Sequence, residues 1–136
     1  MTIELSAQCD CGKVTFVAKE EPLLQLTCHC ADCRQATSND FSTIAFFKLK
    51  SSEISGSLLV NQFTTDAGTE TKRERCAHCE TVMFDRSEGF PSLVGVMASR
   101  IKAPFEELPT CHVWVSSKLA QVSIPENVKQ YEQGIE

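Results

Sequence analysis

Cys28, Cys30 and Cys33 place three sulfurs within six residues, in the order C-x-C-x-x-C. A lone C-x-x-C pair is common, whereas this spacing gathers three soft ligands around one point without help from distant sequence. Thiolates select Zn²⁺, Cu⁺ or iron–sulfur clusters, and we predict zinc. Three local thiolates leave one tetrahedral position for either of two uses. It is open, as in a catalytic zinc site, or a distant fourth residue closes it.

The other cysteines also fall in close pairs. The chain has eight cysteines in 136 residues, and an even count permits a disulfide framework. However, cysteines two or three residues apart rarely reach disulfide geometry without strain, and the same spacings suit a metal chelate. The sequence therefore predicts metal sites.

Two outer pairs, Cys9 with Cys11 and Cys76 with Cys79, each supply half of a tetrahedral site and each precede a strand candidate. Joined, they make a closed four-cysteine centre with a structural role, which would contribute on the order of 10 kcal/mol to folding. The three cysteines of the central segment then form a separate three-cysteine centre. The prediction is two zinc ions per chain.

Three thiolates around Zn²⁺ leave a net charge of −1 and reduce its Lewis acidity, so the three-cysteine centre suits an incoming thiolate better than water. A free thiol titrates near ~8.5, and zinc can supply it deprotonated at neutral pH. The chemistry that this pattern indicates is a thiol substrate presented to an electrophile.

Length and composition indicate one globular domain, residues 1–136, with an ordinary hydrophobic fraction of 42%. The formal net charge is −5 and no basic block is longer than Lys72-Arg73, which argues against nucleic acid and anionic membranes as partners. No apolar run approaches the ~20 residues needed to cross a bilayer. Met1 to Ala7 does not read as a signal peptide, so we expect a cytoplasmic, reducing setting.

Short apolar segments bounded by turn residues predict a mostly-β fold of short antiparallel strands. The predicted strands cover residues 13–18, 23–27, 41–49, 57–63, 81–85, 92–97 and 112–117. One helical turn is predicted over residues 34–37 and a short terminal helix over residues 127–133. Residues 51–56 are a predicted loop or hairpin, and residues 64–71 are a predicted turn.

The order Cys-x-Cys-Gly, Cys-His-Cys-x-x-Cys-Arg, Cys-x-x-Cys and a late Pro-x-x-His-x-Trp (Pro109 to Trp114) resembles the glutathione-dependent formaldehyde-activating enzyme family. The resemblance spans residues 9–118 and implies a β-rich tent fold, with a structural zinc at the four-cysteine centre and a catalytic zinc at the three-cysteine centre. It also implies condensation of glutathione with formaldehyde to S-hydroxymethylglutathione, or a carbon–sulfur lyase in reverse.

Three segments depart from the family pattern. The turn from Ser38 to Phe41 lacks a Gly, Glu80 stands where a Gly usually follows the last cysteine, and residues 96–103 replace a Gly-rich acidic loop. We expect substrate-contacting loops in these segments, so the departures concern the identity of the thiol and not the zinc ligands.

Four further residues near the clusters are interpreted individually. Cys111 is predicted to be a small buried hydrophobe, with closure of the three-cysteine centre as the alternative. His29 is predicted to make a local backbone hydrogen bond rather than to act in catalysis. Arg34 could offset thiolate charge or hold a substrate carboxylate, or lie solvated on the surface. His112 is predicted to pack in the core together with Trp114.

Two functions therefore follow from the sequence. The first is an enzyme of carbon–sulfur chemistry that holds glutathione or a related thiol for addition to a small aldehyde. The second is a zinc-scaffolded protein-binding module without catalysis. Acceptance of an exogenous thiol by the three-cysteine centre separates them.

Overall fold

A computed structural model describes residues 4–65 and 67–134; residues 1–3, Asp66 in the predicted turn, and residues 135–136 lie outside the described part. The described residues form eleven strands and one α-helix, α1, over Ala31–Thr37. The strands are β1 Leu5–Gln8, β2 Thr15–Ala18, β3 Leu24–Cys28, β4 Ser42–Lys48, β5 Ser52–Ser55, β6 Leu58–Thr64, β7 Glu70–Cys76, β8 Val82–Ser87, β9 Leu93–Met97, β10 Cys111–Val113 and β11 Lys129–Gln130.

The strands form two sheets, and the predicted mostly-β fold is confirmed. The small sheet has the order β1-β2-β5, and the large sheet has the order β11-β10-β3-β4-β9-β8-β7-β6. Neighbouring strands are antiparallel except for β10, which runs parallel to both β3 and β11. Across the described residues, no helix has the length and apolar character that a membrane crossing requires.

Several of the helices and strands predicted from the sequence differ from those in the structure. The predicted terminal helix over residues 127–133 contains strand β11 instead, because its backbone pairs with the edge of β10. The predicted strand over 112–117 ends at Val113, since Trp114 adopts a left-handed backbone with φ +57° and a 3-10 turn follows. Strands β1 and β7 were not predicted. The charged side chains of β7 hide the alternation expected of a strand, although β7 pairs on both sides.

The main core lies between the two sheets. The ring of Phe16 on β2 lies 5.1 Å from that of Phe47 on β4 and 6.0 Å from that of Phe84 on β8, measured between centroids. All three side chains are fully buried. Contact between these rings therefore holds the small sheet against the large one.

A second apolar cluster lies on the other face of β4. Ala45 and Phe47 belong to the main core, whereas Ile44 and Phe46 pack with Cys28 in the second cluster. Successive side chains of a strand point to opposite faces, so the large sheet separates the main core from the three-cysteine centre.

The two outer cysteine pairs make similar turns. Gly12 follows Cys11 with φ +77°, and Glu80 follows Cys79 with φ +61°. The amide of Gly12 donates to the carbonyl of Cys9 at 3.1 Å, and the amide of Glu80 donates to that of Cys76 at 2.9 Å. Both turns thus require a residue in the left-handed backbone conformation. Glycine, which adopts this conformation without strain, is present in the first turn, whereas the second turn has Glu80.

Glu80→Gly is therefore expected to raise the free energy of unfolding by about 1 kcal/mol. Glycine removes the strain of the left-handed backbone, and this gain is larger than the entropy that a glycine loses on folding. Gly12→Ala is expected to lower the free energy of unfolding by about 1 kcal/mol for the same reason, since a Cβ at Gly12 meets no atom within 4 Å and only backbone strain opposes it. Chemical denaturation with zinc present measures both changes.

Glu80→Ala is the matched control, because it removes the exposed side chain but keeps the Cβ. A stability gain in Glu80→Ala equal to that in Glu80→Gly would show that the side chain, and not the backbone, is the source of strain.

Candidate metal centres

The four-cysteine centre brings together two segments that are distant in sequence. The sulfurs of Cys9, Cys11, Cys76 and Cys79 all lie within 4.8 Å of one another. The Cys9–Cys11 and Cys11–Cys76 Sγ–Sγ separations are both 3.6 Å. Tetrahedral zinc with Zn–S bonds of about 2.3 Å requires sulfurs about 3.8 Å apart. The donor set and the spacing therefore fit a zinc ion.

Backbone amides surround the sulfurs of the four-cysteine centre. Val14 N donates to Cys9 Sγ at 3.3 Å, and His78 N and Cys79 N donate to Cys76 Sγ at 3.3 and 3.5 Å. Amide donors of this kind stabilise thiolates and fix the orientation of metal ligands. The centre is thus shaped to hold charged sulfur.

The three-cysteine centre forms where β3 ends and α1 begins. Cys28 is the last residue of β3, Cys30 is the N-cap of α1, and Cys33 lies in the first turn of α1. The sulfur of Cys28 lies 3.4 Å from that of Cys30 and 3.2 Å from that of Cys33. The predicted helical turn over residues 34–37 is thus part of a longer helix, which also contains Cys33 of this centre.

The sulfurs of this centre influence one another strongly. The Cys28 side chain, followed by that of Cys33, lowers the pKa of Cys30 to about 3. Cys33 N also donates to Cys30 Sγ at 3.2 Å. Cys30 is half-buried, whereas the other two cysteines are buried. Three soft donors at this spacing fit one zinc ion, with Cys30 on the more accessible side.

Among the described residues, no fourth Cys, His, Asp or Glu joins the three-cysteine group. Cys111 is buried in the second apolar cluster and lies outside the group, as expected of a small hydrophobe. Burial also raises the pKa of the Cys111 thiol. The protein groups found at the centre therefore leave one position of a tetrahedral ion without a ligand.

Arg73 on β7 contacts the three-cysteine centre and was not singled out from the sequence. Its side chain is 91% buried. Its Nη2 donates to Cys33 Sγ at 3.2 Å, its Nε to Asp85 Oδ1 at 3.2 Å, and its Nη1 to the carbonyl of Asp32 at 3.2 Å. The guanidinium also lies 4.9 Å from the centroid of the Phe63 ring. In the sequence Arg73 is one of several charged residues in a row, and only its inward-facing position in β7 distinguishes it from its neighbours.

The Arg73 and Asp85 side chains form a buried ion pair. Burial by itself lowers the pKa of Arg73, but the Asp85 carboxylate and the Cys33 sulfur outweigh it and raise that pKa. Arg73 therefore stays charged beside the cysteine sulfurs. A cation that donates a hydrogen bond to a ligand sulfur stabilises its thiolate form.

His29 pairs with another side chain, so its predicted local backbone hydrogen bond is wrong. His29 Nε2 lies 2.8 Å from His112 Nδ1, and the two rings stack at a centroid distance of 5.1 Å. Burial, followed by the charges around it, lowers the pKa of His29 to about 4, and burial lowers that of His112 as well. Both rings are therefore uncharged at neutral pH, and His112 is buried as predicted.

Arg34 binds backbone carbonyls. Its Nη1 donates to the carbonyl of His29 at 2.9 Å and to that of Ser117. It is thus neither a solvated surface side chain nor hydrogen-bonded to a ligand sulfur. Its role in the structure is to hold the ligand segment against the chain that follows β10.

A cavity of about 260 Å³ adjoins the three-cysteine centre and is lined by all three of its sulfur-bearing residues. None of residues 95–103 lines this cavity. Ser99 and Arg100 line a separate groove beside Cys79, together with Phe41 and Glu80. The segments that depart from the family pattern thus lie along this separate groove and not along the 260 Å³ cavity, and their contact with substrate stays a prediction.

The comparisons with known proteins agree with this arrangement. A family profile described as glutathione-dependent formaldehyde-activating enzyme matches residues 4–117. The crystal structure of a Rhodobacter sphaeroides protein from a structural genomics programme is similar with a TM-score of 0.55 and 21% identity, over 74% of this chain and 90% of that one, a likeness of fold. Among curated proteins, no match was found. The chain belongs to the glutathione-dependent formaldehyde-activating enzyme family.

Proposed function

We propose that this protein joins a small thiol to formaldehyde or a related small electrophile at the three-cysteine centre. The observation that carries the proposal is the convergence of three sulfurs, with no fourth protein ligand among the described residues, on a cavity of about 260 Å³. A closed structural site would not need an adjoining cavity. The family description, glutathione-dependent formaldehyde activation, supports the same reaction class.

Cys28, Cys30 and Cys33 are the residues that would hold zinc at this centre. When bound there, zinc would supply a position at which a fourth thiol is kept deprotonated at neutral pH. The half-buried Cys30 faces the cavity, so a thiol can approach from that side.

The reaction that we propose is addition of the thiol sulfur to the carbonyl carbon of the aldehyde. The proton lost by the thiol is balanced by the proton gained by the carbonyl oxygen, and the product is an S-hydroxymethyl thioether. The reverse reaction cleaves the carbon–sulfur bond, as a lyase does. The cavity contributes by holding the two reactants side by side and by limiting the access of water.

Arg73 acts in this proposal as a positioning residue. Its hydrogen bond to Cys33 Sγ orients that residue and favours its thiolate form. Asp85 in turn fixes the guanidinium. Such partners of metal ligands commonly influence metal affinity by 10–100-fold.

The four-cysteine centre has a structural role in this proposal. Its four cysteines come from two segments that are distant in sequence, with Cys11 and Cys76 separated by 65 positions. Together they supply a full tetrahedral donor set. The chain would then hold two zinc ions with different consequences for folding.

Cys76→Ser is expected to cause loss of ordered structure, because it removes a ligand that joins distant parts of the chain. Cys30→Ser is expected to leave a folded protein with about one zinc ion, because the three-cysteine ligands are local in sequence. Elemental analysis and circular dichroism measure both results. Equal collapse of the two variants would contradict the division into structural and catalytic centres.

Arg73→Met is expected to weaken metal binding at the three-cysteine centre by about 10–100-fold and to shift the thiolate-to-metal absorption of cobalt-substituted protein. Competition with a chelator and absorption spectroscopy measure the two effects. Lys72→Met, at an exposed neighbour on the same strand, is the control and should change neither. Recovery of affinity and absorption in Arg73→Lys would identify charge as the essential property. An unchanged absorption spectrum in Arg73→Met would contradict the role.

Binding of 2-mercaptoethanol or glutathione to the zinc-loaded protein at pH 7 is expected to release close to one proton per bound thiol, since a free thiol is mostly protonated there. Calorimetry in two buffers of different ionisation enthalpy measures this release. Cys30→Ser is the control and should show no such release. If no thiol binds at millimolar concentration, the enzyme proposal fails and a zinc-scaffolded binding module replaces it.

A further inference from the structure

The cavity beside the three-cysteine centre has an aromatic wall. Phe46, Phe63, Phe90 and Trp114 line it, each from a different part of the chain. The rings of Phe46 and Phe90 lie 6.3 Å apart at an angle of 53°. Aromatic walls of this kind favour apolar ligand groups, which gain contact area and lose little by leaving water.

The position of Phe46 depends on Gly95, its cross-strand partner on β9. A Cβ at Gly95 would approach Phe46 Cε1 to 2.9 Å and Ile44 Cγ2 to 2.8 Å. The ring of Phe46 therefore lies directly against the backbone of β9. The part of the aromatic wall that Phe46 forms is thus tightly packed from behind.

The two guanidiniums that line the cavity are each paired with a carboxylate. Among the described residues that line it, the charged ones are Asp32, Arg73, Asp85 and Arg86. Arg73 binds Asp85, and Arg86 Nε donates to Oε1 of Glu74 at 3.0 Å. Each guanidinium therefore already has a carboxylate partner, and the lining offers no excess positive charge.

The three-cysteine centre adds negative charge to this balance, because three thiolates around a divalent ion leave −1. Glutathione carries two carboxylates and one ammonium at neutral pH, so its net charge is negative before its thiol ionises. Its carboxylates would meet paired guanidiniums and additional negative charge. Removal of a carboxylate from water without a cationic partner is unfavourable.

We propose that the preferred thiol of this protein carries an uncharged, apolar substituent about the size of one aromatic ring, and that free glutathione is a weaker ligand. This inference rests on the proposed thiol chemistry and specifies its substrate class. An apolar cavity of 150 Å³ can bind benzene, so about 260 Å³ accommodates a ring together with a methylene and a sulfur. Phenylmethanethiol is the simplest such molecule.

Calorimetry on the zinc-loaded protein at pH 7 tests the preference with three thiols. Phenylmethanethiol and para-(mercaptomethyl)benzoate share the ring and the thiol and differ by one carboxylate, and glutathione is the third. Phenylmethanethiol is expected to bind at least about tenfold more tightly than either charged thiol. Equal or tighter binding of glutathione would overturn the inference and leave the proposed function intact. If none of the three binds while 2-mercaptoethanol does, the inference alone fails, and if 2-mercaptoethanol does not bind either, the proposed function fails with it.

Two variants test the structural basis of the preference. Phe90→Ala removes a partly exposed ring of the wall and should reduce the affinity for phenylmethanethiol at least about threefold more than that for 2-mercaptoethanol. Leu59→Ala, an exposed apolar residue of β6 outside the cavity lining, is the matched control and should change neither affinity. An equal loss for both thiols in Phe90→Ala would overturn the role of the aromatic wall.

Glu74→Gln tests the role of charge pairing. It frees Arg86 from its carboxylate partner while keeping the size of the side chain. The affinity for para-(mercaptomethyl)benzoate should then rise relative to that for phenylmethanethiol. An unchanged ratio of the two affinities would show that paired guanidiniums are not the reason for the preference.

Discussion

The convergence of sulfurs at two points is the constraint on which the rest of this structure depends. The four-cysteine centre joins the turn after β1, in the small sheet, to the turn between β7 and β8, in the large sheet. Strand β7 also carries Arg73, which donates to the sulfur of Cys33 at the other centre. Strand β7 therefore ends in a cysteine of the first centre and supplies a hydrogen bond to the second, so its path fixes the position of one centre relative to the other.

The presence of the buried Arg73–Asp85 pair is better explained by its contact with the three-cysteine centre than by a contribution to folding stability. Burial of two charges costs a large desolvation free energy, and pairs of this kind often contribute little or nothing to net stability compared with apolar residues of similar volume. Here the guanidinium has a further partner in Cys33 Sγ, to which it donates a hydrogen bond. Arg73 thus stabilises the grouped sulfurs, while Asp85 keeps it oriented.

Family membership and cavity chemistry answer different questions. A match over residues 4–117 establishes the family, but the same fold and ligand set can serve different substrates, because function depends on the residues around the reacting atoms. The cavity beside the three-cysteine centre is lined by four aromatic residues, by hydroxyl-bearing residues such as Thr71 and Ser117, and by two guanidiniums that have carboxylate partners. Its chemistry favours an apolar substituent, which a family assignment alone does not specify.

The sequence by itself determined the two cysteine pairs and the cysteine triplet, because residues two or three positions apart are close in any fold, and it determined the strand-rich pattern through local alternation. Tertiary structure alone decided the contacts of Arg73 with Cys33 and of His29 with His112. It also decided the parallel pairing of β10 and the lining of the cavity. The two side-chain contacts join residues 40 and 83 positions apart, and such pairs leave no periodic signal in a single sequence.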